Sequence, residues 1–237
     1  MSDPRFSASV AGRYMACPAS ANLDVAIPNW TPPDVDPMAG AKGRGTTLHA
    51  LLEEAGKLSN PDFRDYAAIV TYVAELRSRR RFQVWTEHTV EADWLKSKPW
   101  TTADLVLHTK DELHIVDYKF GRIPVTLVGN EQMLFYAASY AYLAPRAHEV
   151  HLHILQPAAD QMAEWTVTTS EIAAFMNRAR VSEALVMAKD TTFGPSDHCT
   201  FCPANPHSRG DKGKPLCPAM MQLLYPSVID EQEMLAE

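Results

Sequence analysis

No apolar run in this chain is long enough to span a bilayer. The opening Met1-Ser2-Asp3-Pro4-Arg5 has neither the basic start nor the apolar stretch of a secretory leader. Together these set the expectation of a cytoplasmic protein without a membrane partner. A Gly-x-x-x-x-Gly-Lys-Ser/Thr loop is missing, which excludes a helicase motor of the P-loop kind. Basic excess is missing as well: the formal net charge is −7, against what a passive nucleic-acid coat needs to neutralise phosphates. It does not exclude a nuclease, because bound cations can supply positive charge locally. Internal repeats and low-complexity tracts are absent. Cysteine is scarce, with four in all at Cys17, Cys199, Cys202 and Cys217. In a reducing compartment such a set reads as ligands for a metal or cluster rather than as two disulfides.

What is present supports a real core. Hydrophobic residues make up 46% of 237 positions, enough for one large domain or a domain with an appendage. Ser7-Ala8-Ser9 is placed to cap a helix running to about Cys17-Pro18. Residues 28–43 are rich in Pro, Asp and Gly and read as a loop. Thr46 and Thr47 precede a helix over Leu48–Ala55 with His49 in its first turn. Helical spacing returns from Phe63 to about Arg81, which ends in the basic stretch Arg77-Ser78-Arg79-Arg80-Arg81. That stretch is either a charged helix end or a phosphate contact.

The period then changes to two. Residues 82–90, 101–108 and 112–118 read as a three-stranded meander, the last two joined by a tight turn at Thr109–Glu112. A helix over 130–143 stopped by Pro145, a strand over 149–155 and a further antiparallel strand over 161–168 follow. Strand, helix, strand implies a right-handed crossover and a parallel pair. Thr169 or Ser170 opens a last helix to about Lys189. From Thr191 the chain is rich in Pro and Gly and carries the cysteine cluster.

Chemistry concentrates at the strand ends. Asp117-Tyr118-Lys119-Phe120, followed by Gly121, closes the third strand, and Asp104 precedes the apolar run Leu105-Val106-Leu107. Two carboxylates can hold a hard cation through oxygen, and a lysine can orient water or neutralise a phosphate. Gln132 and Tyr136 lie four apart, on one helix face. Alone, each has a plainer role: His49 as a cap or core residue, Asp104 as a turn residue, Gln132 and Tyr136 as a polar helix edge. Glu87 is a supporting acid or a solvated strand position. Phe135, Tyr140 and Tyr142 read mostly as core.

In this order the motifs resemble the RecB-type branch of the PD-(D/E)XK nucleases, an α/β, restriction-endonuclease-like core of helix, three-strand meander, helix and strand. The matching residues are His49, Asp104, Asp117-Tyr118-Lys119-x-Gly121, and Gln132 with Tyr136. The resemblance implies Mg²⁺ or Mn²⁺ held by His49, Asp104, Asp117 and the Tyr118 carbonyl. Lys119 would position water, and Gln132 and Tyr136 would contact the phosphate backbone. It implies a DNA exonuclease acting on single strands or duplex ends, of the kind phages use in recombination or processing, with a recombination or single-strand-binding protein as a conceivable partner. A restriction-like endonuclease and a non-catalytic nucleic-acid-binding module stay open as alternatives.

In several such nucleases one cysteine before the core and three after it hold a 4Fe–4S cluster. Cys17, Cys199, Cys202 and Cys217 repeat that pattern, with zinc as the alternative. His198 and His207 nearby keep a mixed zinc site open. The expected organisation is a single nuclease domain over 1–237. Its catalytic core is 43–168, and its cluster-binding segments are 1–24 and 190–225. The basic segment Asn205–Lys214 is either a solvated loop or a contact to the DNA backbone.

Overall fold

The protein is represented by a computed structural model and is described here over residues 3–26, 64–190, 192–195, 197–202, 204–205 and 217–220. His49, the helix expected around it, the 28–43 loop, His207 and most of the Asn205–Lys214 segment lie outside the described residues. The chain divides into two compact units, one of Met1–Ser2 with Asp34–Asn177 and one of Asp3–Pro33 with Arg178–Glu237. No helix among the described residues is long and apolar enough to cross a membrane.

The first unit is built on a five-stranded sheet with its strands in sequence order. They are β1 (Gln83–Glu91), β2 (Trp100–His108), β3 (Leu113–Tyr118), β4 (Glu149–Gln156) and β5 (Gln161–Thr168). Neighbours are antiparallel except β3 and β4, which run parallel. The crossover between those two contains a helix, Glu131–Tyr140, as strand–helix–strand patterning dictates. The Thr109 N–H bonds to the Glu112 carbonyl at 2.8 Å, closing the β2–β3 turn where it was expected.

Alternation sorts the side chains onto two faces. Leu105, Leu107, Val116, Tyr118 and Leu155 lie on one face, packed with Ile69 and Leu76 from the helix Arg64–Ser78. The other face carries Asp104, Val106, Ile115 and Asp117. The described helices are named in chain order: α1 (Ala11–Ala16), α2 (Pro18–Ala26), α3 (Arg64–Ser78), α4 (Glu131–Tyr140) and α5 (Thr169–Met187). Asn130 caps α4 by accepting from the Met133 N–H at 3.2 Å, and Glu131 in the first turn complements the helix dipole. Met133, Phe135, Ala137 and Tyr140 of α4 are buried. Trp94 packs on Phe135 at 5.0 Å between ring centres and donates to the Ser139 hydroxyl at 3.1 Å.

Asp104 lies in the middle of β2, whose first residues, Trp100-Thr101-Thr102, continue the ladder with β1. Expectations at helix ends are corrected. The cap of α5 is Thr168: its hydroxyl accepts from the Glu171 N–H at 3.2 Å, and the Glu171 carboxylate accepts from the Thr168 N–H at 2.7 Å. That reciprocal pair satisfies two N–H groups that Thr169 or Ser170 would have left open. Ser7 makes no side-chain cap, and the helix it was expected to open begins as a 3₁₀ turn over Ala8–Val10.

In the second unit, Pro18 begins a helix instead of following the end of one. Proline fits there because the first turn has no acceptor for the N–H it lacks. The guanidinium of Arg5 holds Asp3 at 2.6 Å and donates to the Asn22 side chain at 3.0 Å, fastening the 3₁₀ turn Pro4–Phe6 to α2. Phe6 meets Tyr14 edge-on at 5.4 Å.

Candidate active site

Register brings the two acids together. Leu105 pairs with Val116 across the antiparallel β2–β3 ladder, so the next position outward sets Asp104 opposite Asp117 on the same face. The backbone N–H of Tyr118 donates to Asp104 Oδ2 at 2.6 Å. Lys119 Nζ pairs with Asp117 Oδ2 at 2.8 Å. The Gln132 carboxamide lies between these groups. Its Oε1 accepts from Lys119 Nζ at 3.3 Å, and its Nε2 donates to Asp117 Oδ1 at 3.3 Å and to the Tyr136 hydroxyl at 2.8 Å. Asp104, Asp117, Lys119, Gln132 and Tyr136 therefore form one constellation, supplied by β2, β3 and one face of α4. His49 lies outside the described residues, so its place relative to these groups is undescribed.

The electrostatics of the pair are unbalanced. Asp117 is 2% exposed, and its Oδ2 is buried without a hydrogen bond, its charge met by the Lys119 ion pair. Burial, followed by the charge of Asp117, pushes the Asp104 carboxyl up to about 8, against the pull of the Tyr118 N–H and Lys119. Glu87 adds to this push. It stands across from Asp104, between the register pairs Thr86–Leu105 and His88–Ala103, with its backbone in the left-handed region at φ 44°. Burial holds the Tyr136 phenol well above its ordinary range, so it stays a hydroxyl that can donate.

Two supports were not legible in the motifs. Tyr140 is buried, as a core aromatic should be, but its hydroxyl accepts from the Ala103 N–H at 3.2 Å and donates to the His88 carbonyl. It thus enters the β1–β2 ladder beside Asp104. Gln156, 1% exposed at the end of β4, accepts from the Val125 N–H at 3.0 Å and donates to the carbonyls of Gly121 and Ile123, each at 2.8 Å. A buried carboxamide with three backbone partners fixes the loop that follows Lys119. The only sequence signal for either was a polar group within an apolar run.

The cysteines converge in the second unit. Cys202 and Cys217 are buried with Ala204 and Met220, and Cys199, Leu23 and Phe193 pack against them. No disulfide joins any of the four cysteines. Cys17 Sγ lies 4.0 Å from the Thr192 carbonyl. Gly194 comes so close to the end of α1 that a Cβ there would sit 2.6 Å from the Ala16 carbonyl oxygen. Burial pushes the Cys202 thiol up, and the neighbouring Cys199 and Cys17 add to it. His198 Nε2 is 3.8 Å from Cys199 Sγ, which puts an imidazole beside the thiols.

Comparison with solved structures finds distant likenesses. SSO0001 is 14% identical with a TM-score of 0.39, the match covering 81% of each chain. An alkaline exonuclease, LHK-Exo from Laribacter hongkongensis, is 11% identical with a TM-score of 0.35, over 76% of this chain and 91% of that one. The same enzyme in complex with dAMP gives 12% identity and a TM-score of 0.33 over the same shares. These values are too low to assign an activity. A family model described as "Protein of unknown function (DUF2800)" matches residues 58–236.

Proposed function

The chain belongs to this DUF2800 family of proteins of unknown function, and we propose that it is a divalent-metal-dependent deoxyribonuclease acting as an exonuclease. The observation that carries this reading is the cross-strand pair of half-buried Asp104 and buried Asp117 beside a single ammonium group. Two carboxylates share one ammonium group, Lys119, which is paired with Asp117 Oδ2 at 2.8 Å, and burial followed by the Asp117 charge holds the Asp104 carboxyl above its ordinary range. Oxygen donors in an electron-rich, partly buried corner fit a hard dication such as Mg²⁺ or Mn²⁺. Asp104, Asp117 and the Tyr118 carbonyl would hold it, with His49 completing the set. Bound there, the ion would lower the pKa of water and draw charge from the phosphoryl oxygens.

The chain's own groups do the rest. Lys119, held by Asp117 and Gln132, positions the attacking water or neutralises the scissile phosphate. Gln132 fixes the directions of Lys119 and Tyr136 at once. The Tyr136 hydroxyl donates to a phosphate oxygen. As the water oxygen bonds to phosphorus, the bond to the 3′ oxygen breaks and that oxygen takes a proton, leaving a 5′-phosphate and a 3′-hydroxyl. At the other end of the chain, Cys17, Cys199, Cys202 and Cys217 would hold a 4Fe–4S cluster. Thiols gathered in one apolar pocket suit that role, and zinc is the competing occupant.

The test is degradation of linear DNA by anaerobically purified protein with Mg²⁺ or Mn²⁺, beside Asp117→Asn and Lys119→Ala. Loss of activity in both variants supports the reading. An inactive wild type would mean a non-catalytic nucleic-acid-binding module, and full activity in Asp117→Asn would move the catalysis away from this pair. Cleavage of closed circles would move the assignment to an endonuclease.

A further inference from the structure

The sheet face opposite the Asp104–Asp117 pair carries a cluster of a different chemical kind. His114 on β3 is in parallel register with His151 on β4, and Val116 with His153. All three histidines therefore point to the α3 side, away from the two acids. Glu112, in the turn before β3, reaches the same place. One ligand atom from each of Glu112, His114 and His151 lies within 4.8 Å of the others. We propose that these three residues bind a transition-metal dication of the Zn²⁺ type, at a second site independent of the reading given to the opposite face.

The donor set argues for that class of ion. Two imidazoles and one carboxylate match borderline metals, whereas the all-oxygen environment of Asp104 and Asp117 suits a hard cation. The surroundings argue for the same ion. Ligating imidazoles ordinarily have their second nitrogen held by another group, and both do here. His114 Nδ1 is 3.0 Å from His153 Nε2, and His153 Nδ1 is 2.9 Å from the Tyr72 hydroxyl. His151 Nδ1 is 2.9 Å from Glu164 Oε1 and 3.2 Å from the Thr166 hydroxyl. Glu112 Oε2 is paired with Arg80 at 3.0 Å, which leaves Oε1 turned to His114 Nε2 at 2.8 Å. His114 is closed off, whereas the side chains of Glu112 and His151 are 23% and 25% exposed, so an ion can reach the cluster from solvent.

The hydrogen-bond chain also predicts a change that a purely structural cluster would not undergo. Without metal, Glu112 needs a proton on His114 Nε2. Nδ1 then accepts from His153 Nε2–H, and His153 Nδ1 accepts from the Tyr72 hydroxyl. An ion on His114 Nε2 requires the other tautomer. His114 then donates from Nδ1 to His153, and His153 donates from Nδ1 to Tyr72. Each ring keeps one proton throughout, so the chain reverses without gaining or losing charge.

The experiment uses chelator-treated full-length protein titrated with Zn²⁺ alone, reading bound zinc per chain and the imidazole ¹⁵N resonances. Glu112→Gln and His151→Gln are titrated in parallel, with the four cysteines left intact in every sample. The expected result is about one equivalent of zinc fewer in each variant than in the wild type. In the wild type, His114 and His153 should switch tautomer as zinc binds. Equal zinc content in wild type and variants, or unchanged His114 and His153 resonances at saturation, overturns the proposal. The resonance measurement needs only the wild type, so a variant that fails to fold does not shelter the idea.

Discussion

The hydroxyl of Tyr140 donates to the His88 carbonyl from within the β1–β2 ladder, and it accepts from the Ala103 N–H beside Asp104. A side chain thus does the work of a backbone bond at the point where Glu87 takes a left-handed conformation. Tyr140→Phe keeps the ring and leaves two buried backbone groups without their partner. We expect it to lose about 1–2 kcal/mol of stability in urea unfolding. Nuclease activity should fall roughly tenfold, through displacement of Asp104, with DNA binding unchanged. Unaltered activity would make Tyr140 a core residue only.

Asp104 and Asp117 set function against stability. The Asp104 carboxyl, held at about 8 in the fold, keeps its proton where the unfolded chain has lost it. Its contribution to stability is therefore complete below the ordinary value of 3.8 and lost as pH rises to about 8. Asp104→Asn removes that dependence. In the absence of divalent metal it should be more stable than the wild type at pH 8, by on the order of 2 kcal/mol, with the advantage shrinking towards pH 4. It should also be inactive. Denaturant midpoints across pH would expose an Asp104 that ionises at its ordinary value, because the two proteins would then run parallel.

The histidine chain gives the opposite slope. Burial, then the neighbouring His114 and His151, pushes the His153 imidazole down to about 3. The native state keeps it neutral where the unfolded chain is protonated, so stability is complete above the ordinary value of 6.5 and lost as pH falls towards 3. Measured on Asp104→Asn, to remove the opposing group, the loss over that window should be on the order of 4 kcal/mol. A flat profile between pH 6 and pH 4, on the order of the window just given, would show that protonation meets no burial penalty.

Gln156 is expected to matter to the loop rather than to the chemistry. Gln156→Ala removes bonds to Val125, Gly121 and Ile123. Stability should drop by about 2–3 kcal/mol. Hydrogen exchange should rise across residues 121–125 while β3 and β4 stay protected. Protection unchanged in that loop would mean other contacts hold it.

The cysteine pocket makes a prediction about colour. Protein purified without oxygen should be brown with broad absorbance above the protein band, and Cys17→Ser or Cys202→Ser should lose both colour and resistance to protease around residues 3–26. Colourless protein with stoichiometric zinc would assign the pocket to zinc and leave the nuclease reading standing.

Periodicity alone was enough to place the described strands, the crossover helix and the parallel pair. A period of two or of 3.6 is a property of consecutive residues and survives any tertiary arrangement. The Asp-Tyr-Lys and Gln-x-x-x-Tyr elements were legible for the same reason, since each is local to one strand end or one helix face. Element edges were less so. Thr168 outcompetes Thr169 as a cap because Glu171 answers its N–H, and Pro18 starts α2 because only the fold says on which side of it the helix lies.

The chain by itself determined which residues could carry charge, bind metal or line a core, because those are properties of side chains and their near neighbours. Only the tertiary structure decided which of them meet. Strand register put Asp104 across from Asp117 and His114 beside His151, and packing of α4 carried the Tyr140 hydroxyl into a ladder between other strands. These meetings depend on residues far apart in the chain, and slipping the register by one position would send each side chain to the opposite face.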